Sequence, residues 1–284
     1  MKILVLGASG MLGNAMLRFL SSDKNLKVFG TVRSVGIALV DSENHAYKIV
    51  DGVNVENHDA LVKIMADIRP TIVINCIGLV KQLPDSADPL QAIPINSILP
   101  HRLAALCGII NARLIHFSTD CVFSGEVGGY LESDAPNPTD LYGRSKLLGE
   151  VDYPNAITLR TSIIGHELSG SRSLVSWFLS QSGRVNGFRK AIYTGLPTVE
   201  LARIVRDFIF PRPELRGVYH IASQPISKFE LLNLIAKIYC KEIHIDPSDD
   251  FSIDRSLNAS RFYNATGYSA PPWPELIERM HQFY

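Results

Sequence analysis

The chain has 284 residues, 46% of them hydrophobic and 20% charged, which is enough for one large domain or two small ones. Its 28 basic and 28 acidic residues cancel, so no global field draws nucleic acid or an anionic membrane toward it, and neither is expected as a partner. The opening MKILVLGASG breaks its apolar run at Gly7, too early for a secretory signal, and TIVINCIGLV is too short to span a bilayer. Cys76, Cys107, Cys121 and Cys240 show no metal-ligand spacing, so they read as reduced thiols of a cytoplasmic protein with no metal.

Strands are predicted at 2–7 (KILVLG), 27–33 (KVFGTVR), 47–51 (YKIVD), 71–78 (TIVINCIG), 113–120 (RLIHFSTD) and 156–162 (AITLRTS). Helical patterns fall between most of them, at 11–22, 56–67, 89–107 and 140–151. The strands are apolar on both faces, as strands of a parallel sheet covered on both sides should be. This alternation predicts an α/β fold, a Rossmann-type doubly wound parallel sheet over 1–165 that also receives segments near 195–225. Beyond 165 the rhythm changes to helices at 173–182, 198–210, 228–240 and 273–283, with strands at 217–223 (GVYHIAS) and 242–246 (EIHID). No Pro/Gly/Ser-rich linker intervenes, so 166–284 is expected to be a smaller mixed α/β lobe packed on the sheet.

The stretch GASGMLG places Gly7, Gly10 and Gly13 directly after the first strand and at the opening of the first helix. Gly7 permits the tight turn, Gly10 lets backbone approach a pyrophosphate, and Gly13 lets the helix pack on the strand, whose N-terminus then stabilises negative charge. The second strand ends GTVRS, with Arg33 and no acid before Asp41. A cation there suits the 2′-phosphate of NADP better than the free ribose of NAD, so NADPH is the expected cofactor. The expected contacts are Gly7, Ser9, Gly10, Met11 and Leu12 in the turn, Arg33 and Asp51 after the next strands, Cys76, Ile77 and Gly78 after the fourth, then Asn96, Tyr142, Lys146 and Ser162.

In YGRSK, Tyr142 and Lys146 lie four residues apart, on one face of a helix. An ammonium beside a phenol stabilises the phenolate and lowers the tyrosine from about 10 toward neutral pH. Such a group can protonate an oxygen that gains negative charge as a ketone accepts hydride.

With GASGMLG, INSILPHRLAALC, ARLIHFSTDCVFSG, LYGRSKLLGE, LRTSIIG, TGLPTVELA and GVYHIAS in this order, the chain resembles the extended short-chain dehydrogenases/reductases, in particular the dTDP-4-dehydrorhamnose reductase (RmlD-like) branch. The resemblance covers nearly the whole chain. It implies a catalytic triad of Thr119, Tyr142 and Lys146, in which Thr119 binds the substrate carbonyl, Tyr142 protonates it and Lys146 also holds the nicotinamide ribose. It implies reduction of a nucleotide-activated 4-keto-6-deoxysugar, either dTDP-4-dehydrorhamnose or a UDP-2-acetamido-2,6-dideoxy-hexos-4-ulose, in surface-polysaccharide synthesis. Lys81, Gln82, Asp120, Cys121, Trp177 and Arg255 are the expected substrate contacts, and a homodimer stays open. Ser118 should point away from Thr119 by strand alternation.

Related 4,6-dehydratases carry Thr-Asp-Glu where this chain has Thr119-Asp120-Cys121, so dehydration is not implied. Two other readings stay open. Cys121 aligns with the epimerising base of GDP-fucose synthases, although Arg172 and Ser173 stand where the partner histidine belongs and His166 comes too early. A non-catalytic NADP-binding regulatory subunit is the alternative of another class.

Overall fold

Strands that are apolar throughout need cover on both sides, and the computed structural model, which describes residues 1–34, 47–81 and 84–284, provides it. The first half alternates β1 (Lys2–Leu6), α1 (Met11–Ser21), β2 (Lys27–Thr31), β3 (Tyr47–Val50), α2 (His58–Ile68), β4 (Ile72–Asn75), α3 (Pro89–Ala92), α4 (Leu99–Ile109), β5 (Arg113–Ser118), α5 (Leu141–Leu148) and β6 (Ala156–Arg160). The second half comprises β7 (Ile163–Ile164), α6 (Leu174–Ser180), β8 (Arg184–Tyr193), β9 (Leu196–Pro197), α7 (Thr198–Ile204), β10 (Gly217–His220), β11 (Ile226–Ser227), α8 (Lys228–Ile238), β12 (His244–Asp254), α9 (Ser260–Thr266) and α10 (Trp273–Phe283). Gln82 and Asp41 lie outside the described residues.

Seven strands form one parallel sheet in the order β10-β6-β5-β4-β1-β2-β3. Alternate side chains serve opposite faces: Ile3, Val5, Ile74, Ile115 and Leu159 join one core, whereas Leu4, Leu6, Val73 and Leu114 join the other. Each aliphatic side chain fully buried in this way contributes about 1.5–3 kcal/mol. The first core continues through Leu201 of α7, Leu231 of α8 and Leu276 of α10, so the later half packs on the sheet through shared apolar surface. The chain crosses from one side of the sheet to the other between β1 and β4, and the crevice at their carboxyl ends is where such sheets take ligands.

Three elements differ from the sequence expectation. Residues 184–193 form a full strand, β8, flanked by β11 and β12 in a separate three-stranded sheet. Its buried Val185, Gly187, Ala191 and Tyr193 are interrupted by exposed Arg189 and Lys190, which hides the alternation. The expected strand 242–246 is displaced and extended as β12, and α9 was not foreseen. The helix over 89–109 is apolar enough by composition to cross a membrane, yet half of its most apolar window is buried inside the fold. A π-turn over Ile93–Ile98 interrupts it: Pro100 has no N–H for the Asn96 carbonyl, and Leu99 N–H reaches back to Pro94 O instead.

Candidate active site

The first strand enters its helix through a turn that only glycine can make. Gly7 has φ +82°, and a Cβ there would stand 2.8 Å from Ile77 Cγ1; a Cβ on Gly13 would overlap the Gly7 carbonyl. The helix behind this turn has Gly10 as its N-cap and no side-chain cap, whereas α2, α5, α6 and α8 are capped by Asn57, Asp140, Ser173 and Ser227. The first-turn N–H groups, those of Met11 and Leu12 among them, are therefore left for an anion. In front lies a cleft of about 270 Å³. Seven expected residues line it: Gly7, Ser9, Gly10, Arg33, Cys76, Ile77 and Gly78. The glycine cradle and the uncapped helix fit a dinucleotide pyrophosphate, and Arg33 stands exposed at the rim. Asp51 is exposed, and the wall beyond β3 is built by Val53, Asn54, Val55 and Glu56 instead.

Asn96, expected to touch the cofactor, has its side chain engaged by protein. Its Oδ1 accepts from Leu79 N–H at 2.9 Å, and its Nδ2 donates to Leu79 O at 3.2 Å and Ser145 Oγ at 3.1 Å. The π-turn thus pins the loop after β4 to α5. Ser162, also expected at the cofactor, is half-buried, and its carbonyl accepts from Leu196 N–H at 2.9 Å.

At the carboxyl end of β5, Thr119 caps a short 3₁₀ turn by accepting from Cys121 N–H at 3.1 Å, and donates to Asp120 Oδ1 at 3.2 Å. Ser118 points to the other side, donating to Glu150 Oε1 at 2.7 Å, as alternation requires. Tyr142 projects from the first turn of α5 to where the Thr119 hydroxyl acts on its phenol. A Cβ on Gly143 would overlap Cys121 O, so glycine there lets α5 sit this close. Lys146, 6% exposed, lies one turn on and donates to Phe117 O at 2.6 Å. Its Nζ is 3.8 Å from where a Cβ on Gly78 would be, which sets the ammonium against the dinucleotide cleft. The three groups thus converge where β4, β5 and α5 meet.

The electrostatics correct one expectation. Burial pushes the Tyr142 phenol above its ordinary value, Cys121, Asp120 and Asp140 push the same way, and the Thr119 hydrogen bond opposes them. Whatever lowering the spacing to Lys146 leads one to expect does not outweigh burial, and the phenol stays above its ordinary value. At neutral pH Tyr142 therefore carries its proton.

Burial lowers Lys146 to about 8, against the pull of Glu150. Between pH 8 and the usual 10.5, the unfolded chain binds a proton that the folded chain has released, so Lys146 makes stability rise with pH in that window. Below it both states are protonated, and the fold bears the full cost of burying the charge. In Lys146→Met this rise should vanish; thermal midpoints of variant and wild type running parallel from pH 8 to 10 would contradict the assignment.

Past Thr119, Asp120 is 9% exposed and Cys121 half-buried. Arg255 reaches across from the end of β12, donating to Phe123 O at 2.8 Å and to Cys121 Sγ at 3.4 Å. Burial, with help from Asp120, pushes the Cys121 thiol up to about 12. Lys81 pairs with Asp140 at 2.7 Å, tying the loop after β4 to the N-cap of the helix that carries Tyr142. Trp177 packs half-buried on the main core. Sequence reasoning missed Lys228, which feels the charges of Asp120, Cys121, Arg255 and Lys81. A signal was present: SKFE is a capping box, with Ser227 and Glu230 satisfying each other, and it opens a helix just past GVYHIAS.

A parallel sheet whose switch point opens on an uncapped glycine turn is the architecture of a Rossmann-type dinucleotide-binding protein. More narrowly, the chain belongs to the RmlD substrate binding domain family, which matches residues 1–266. It is 29% identical over 235 residues to the "Probable low-salt glycan biosynthesis reductase Agl14" of Haloferax volcanii, covering 78% of this chain and 74% of that protein. It is 28% identical over 253 residues to "Methionine adenosyltransferase 2 subunit beta" of Danio rerio, covering 84% and 74%. Among solved structures, dTDP-4-dehydrorhamnose reductase from Bacillus anthracis in complex with NADP shares the fold, with TM-score 0.78, 20% identity and coverage of 100% and 98%.

Proposed function

We propose that the protein is an NADPH-dependent reductase of the C4 ketone of a nucleotide-activated 4-keto-6-deoxysugar. The observation that carries this reading is the convergence of Thr119, Tyr142 and Lys146 beside the glycine cleft. When bound, the nicotinamide would supply hydride to the ketone carbon. Tyr142, a neutral phenol beside Thr119, gives its proton to the ketone oxygen, and the buried ammonium of Lys146 steadies the phenolate left behind. Lys228 and Arg255 add positive charge suited to a sugar diphosphate. Family membership and the name of the Haloferax relative support a nucleotide-sugar reductase. Both the dTDP and the UDP sugars named above fit the reading, and the free thiols suit a reducing compartment such as the cytoplasm.

Arg33 at the rim supports NADPH over NADH. Arg33→Ala should weaken NADPH binding about tenfold or more, because the 2′-phosphate then has no charge-assisted hydrogen bond from the guanidinium, and it should leave NADH unchanged; equal effects on both cofactors would remove the preference. Cys121 is a poor epimerising base with its thiol near 12, and His166 is engaged by the Tyr239 hydroxyl at 2.7 Å. Solvent deuterium at sugar carbon 3 or 5 would restore that role. A second reading, an NADP-binding subunit without turnover, is favoured by the name of the Danio rerio relative. NADPH oxidation with a panel of dTDP- and UDP-4-keto-6-deoxysugars decides between them: turnover of a panel member is expected, and tight NADPH binding with none turned over would establish the second reading.

A further inference from the structure

Tyr193 ends β8, is 9% exposed and rests tilted on Trp273, with ring centroids 5.9 Å apart. Among the described residues its hydroxyl has no hydrogen-bond partner. A buried donor without a partner destabilises a fold, and phenylalanine would pack on Trp273 equally well, so the hydroxyl needs a reason. Its surroundings indicate one. A Cβ on Gly195 would overlap both the Tyr193 hydroxyl and Ser162 O, which puts the hydroxyl beside the chain leaving β6. Burial keeps the phenol neutral, and Asp120, which accepts from Thr119, is near enough for its charge to act the same way.

The register of the small sheet adds to this. Ile192 pairs with Ser227 on one side and Asp254 on the other, so Lys228 and Arg255 leave the sheet on either flank of the β8 terminus. Arg255 is anchored on Phe123 O and Cys121 Sγ. Lys228 is half-buried and makes no hydrogen bond or ion pair among the described residues. The end of β8 thus lies between the two segments that lead into Lys228 and Arg255, with Asp120 near enough to act on the phenol.

We propose that Tyr193 is a substrate-binding residue: its hydroxyl bonds a hydroxyl or amide group on the sugar ring next to the reacting ketone, and so positions that ketone on Thr119 and Tyr142. The proposal rests on the nucleotide-sugar reading of the site and assigns Lys228 and Arg255 to the anionic part of the same molecule. Tyr193→Phe keeps the ring and its packing while deleting the donor. In the ligand-free protein the thermal midpoint should stay the same or rise, and NADPH affinity should not change. With dTDP-4-dehydrorhamnose or a UDP-2-acetamido-2,6-dideoxy-hexos-4-ulose, whichever the wild type turns over, kcat/KM should fall about 10- to 100-fold.

Calorimetric titration of both proteins with the same two nucleotide sugars separates this proposal from the reading it rests on. Binding at least tenfold tighter to wild type than to Tyr193→Phe, without turnover, upholds Tyr193 and removes the reductase. Turnover with equal kcat/KM in both proteins upholds the reductase and removes Tyr193. A thermal midpoint lowered by several degrees in the ligand-free variant also overturns the proposal, since the hydroxyl then has a structural partner. A wild type that neither binds nor reduces these sugars overturns both.

Discussion

Tyr142→Phe should lower kcat for ketone reduction by about a thousandfold, the usual scale for removing a positioned general acid, while NADPH binds as before. The substitution deletes one oxygen and keeps the ring. The backbone of Tyr142 continues to accept from Ser145 Oγ at 2.9 Å, so the turn of α5 that carries it should hold. The phenol is buried, and burial keeps it protonated, so it arrives at the ketone with the proton to give. Loss of that proton leaves an alkoxide in a poorly solvated site with only the Thr119 hydroxyl beside it. Fluorescence titration with NADPH together with single-turnover reduction checks both halves of the expectation. Turnover within tenfold of wild type would mean that another group supplies the proton.

Glu150→Ala should cost about 3–5 kcal/mol of stability, seen as a drop in thermal midpoint of roughly 10 °C for a chain of this size. Glu150 and Arg160 are 7% and 5% exposed at their side chains. Arg160 Nε donates to Oε1 and Nη2 to Oε2, each at 2.7 Å, and Ser118 Oγ donates to Oε1 as well. On its far side Arg160 donates to His220 Nε2 at 3.2 Å. Burial and Arg160 hold His220 near 4, so its ring is neutral and accepts there. Removing the carboxylate leaves a guanidinium in the interior with nothing to balance it, and burying an unpaired charge costs more than the pair itself contributes. Lys146 also loses the negative charge that holds it up, so the damage reaches the cluster of Thr119, Tyr142 and Lys146. The double variant Glu150→Leu/Arg160→Met should recover most of the stability. A single variant that loses less than about 1 kcal/mol would show the pair to be solvent-relaxed, as exposed pairs are.

The physical basis of these effects was legible in the chain to different depths. β1, β4 and β5 were readable because each is apolar on both faces, and a strand buried on both sides has no other composition available. Gly7 and Gly13 were readable because a left-handed turn and a close helix approach both exclude a Cβ. Lys146 was placed correctly on the face of Tyr142 by the four-residue spacing, but its effect on the phenol was not. Spacing says that two side chains share a helix face, whereas the pKa depends on how much water remains around the phenol and on which charges face it, here those of Cys121, Asp120 and Asp140. Asn96 was seen as a cofactor contact and became a loop clamp, since its partners Leu79 and Ser145 come from two other segments.

What the amino-acid sequence determined by itself is therefore local. It specified the strand and helix order of the first half, the glycine turn after β1, the Tyr–Lys spacing on one helix face, and the family to which the chain belongs. Tertiary structure decided what depends on segments far apart in the chain. Arg255 meets Cys121 across 134 positions, Ser118 meets Glu150 and through it Arg160, and β8 becomes a strand because β11 and β12 pair with it on both edges. The reason is range. Periodicity and steric rules act over a few residues, while burial and electrostatics are set by whichever distant side chains the packed core brings within a few ångströms.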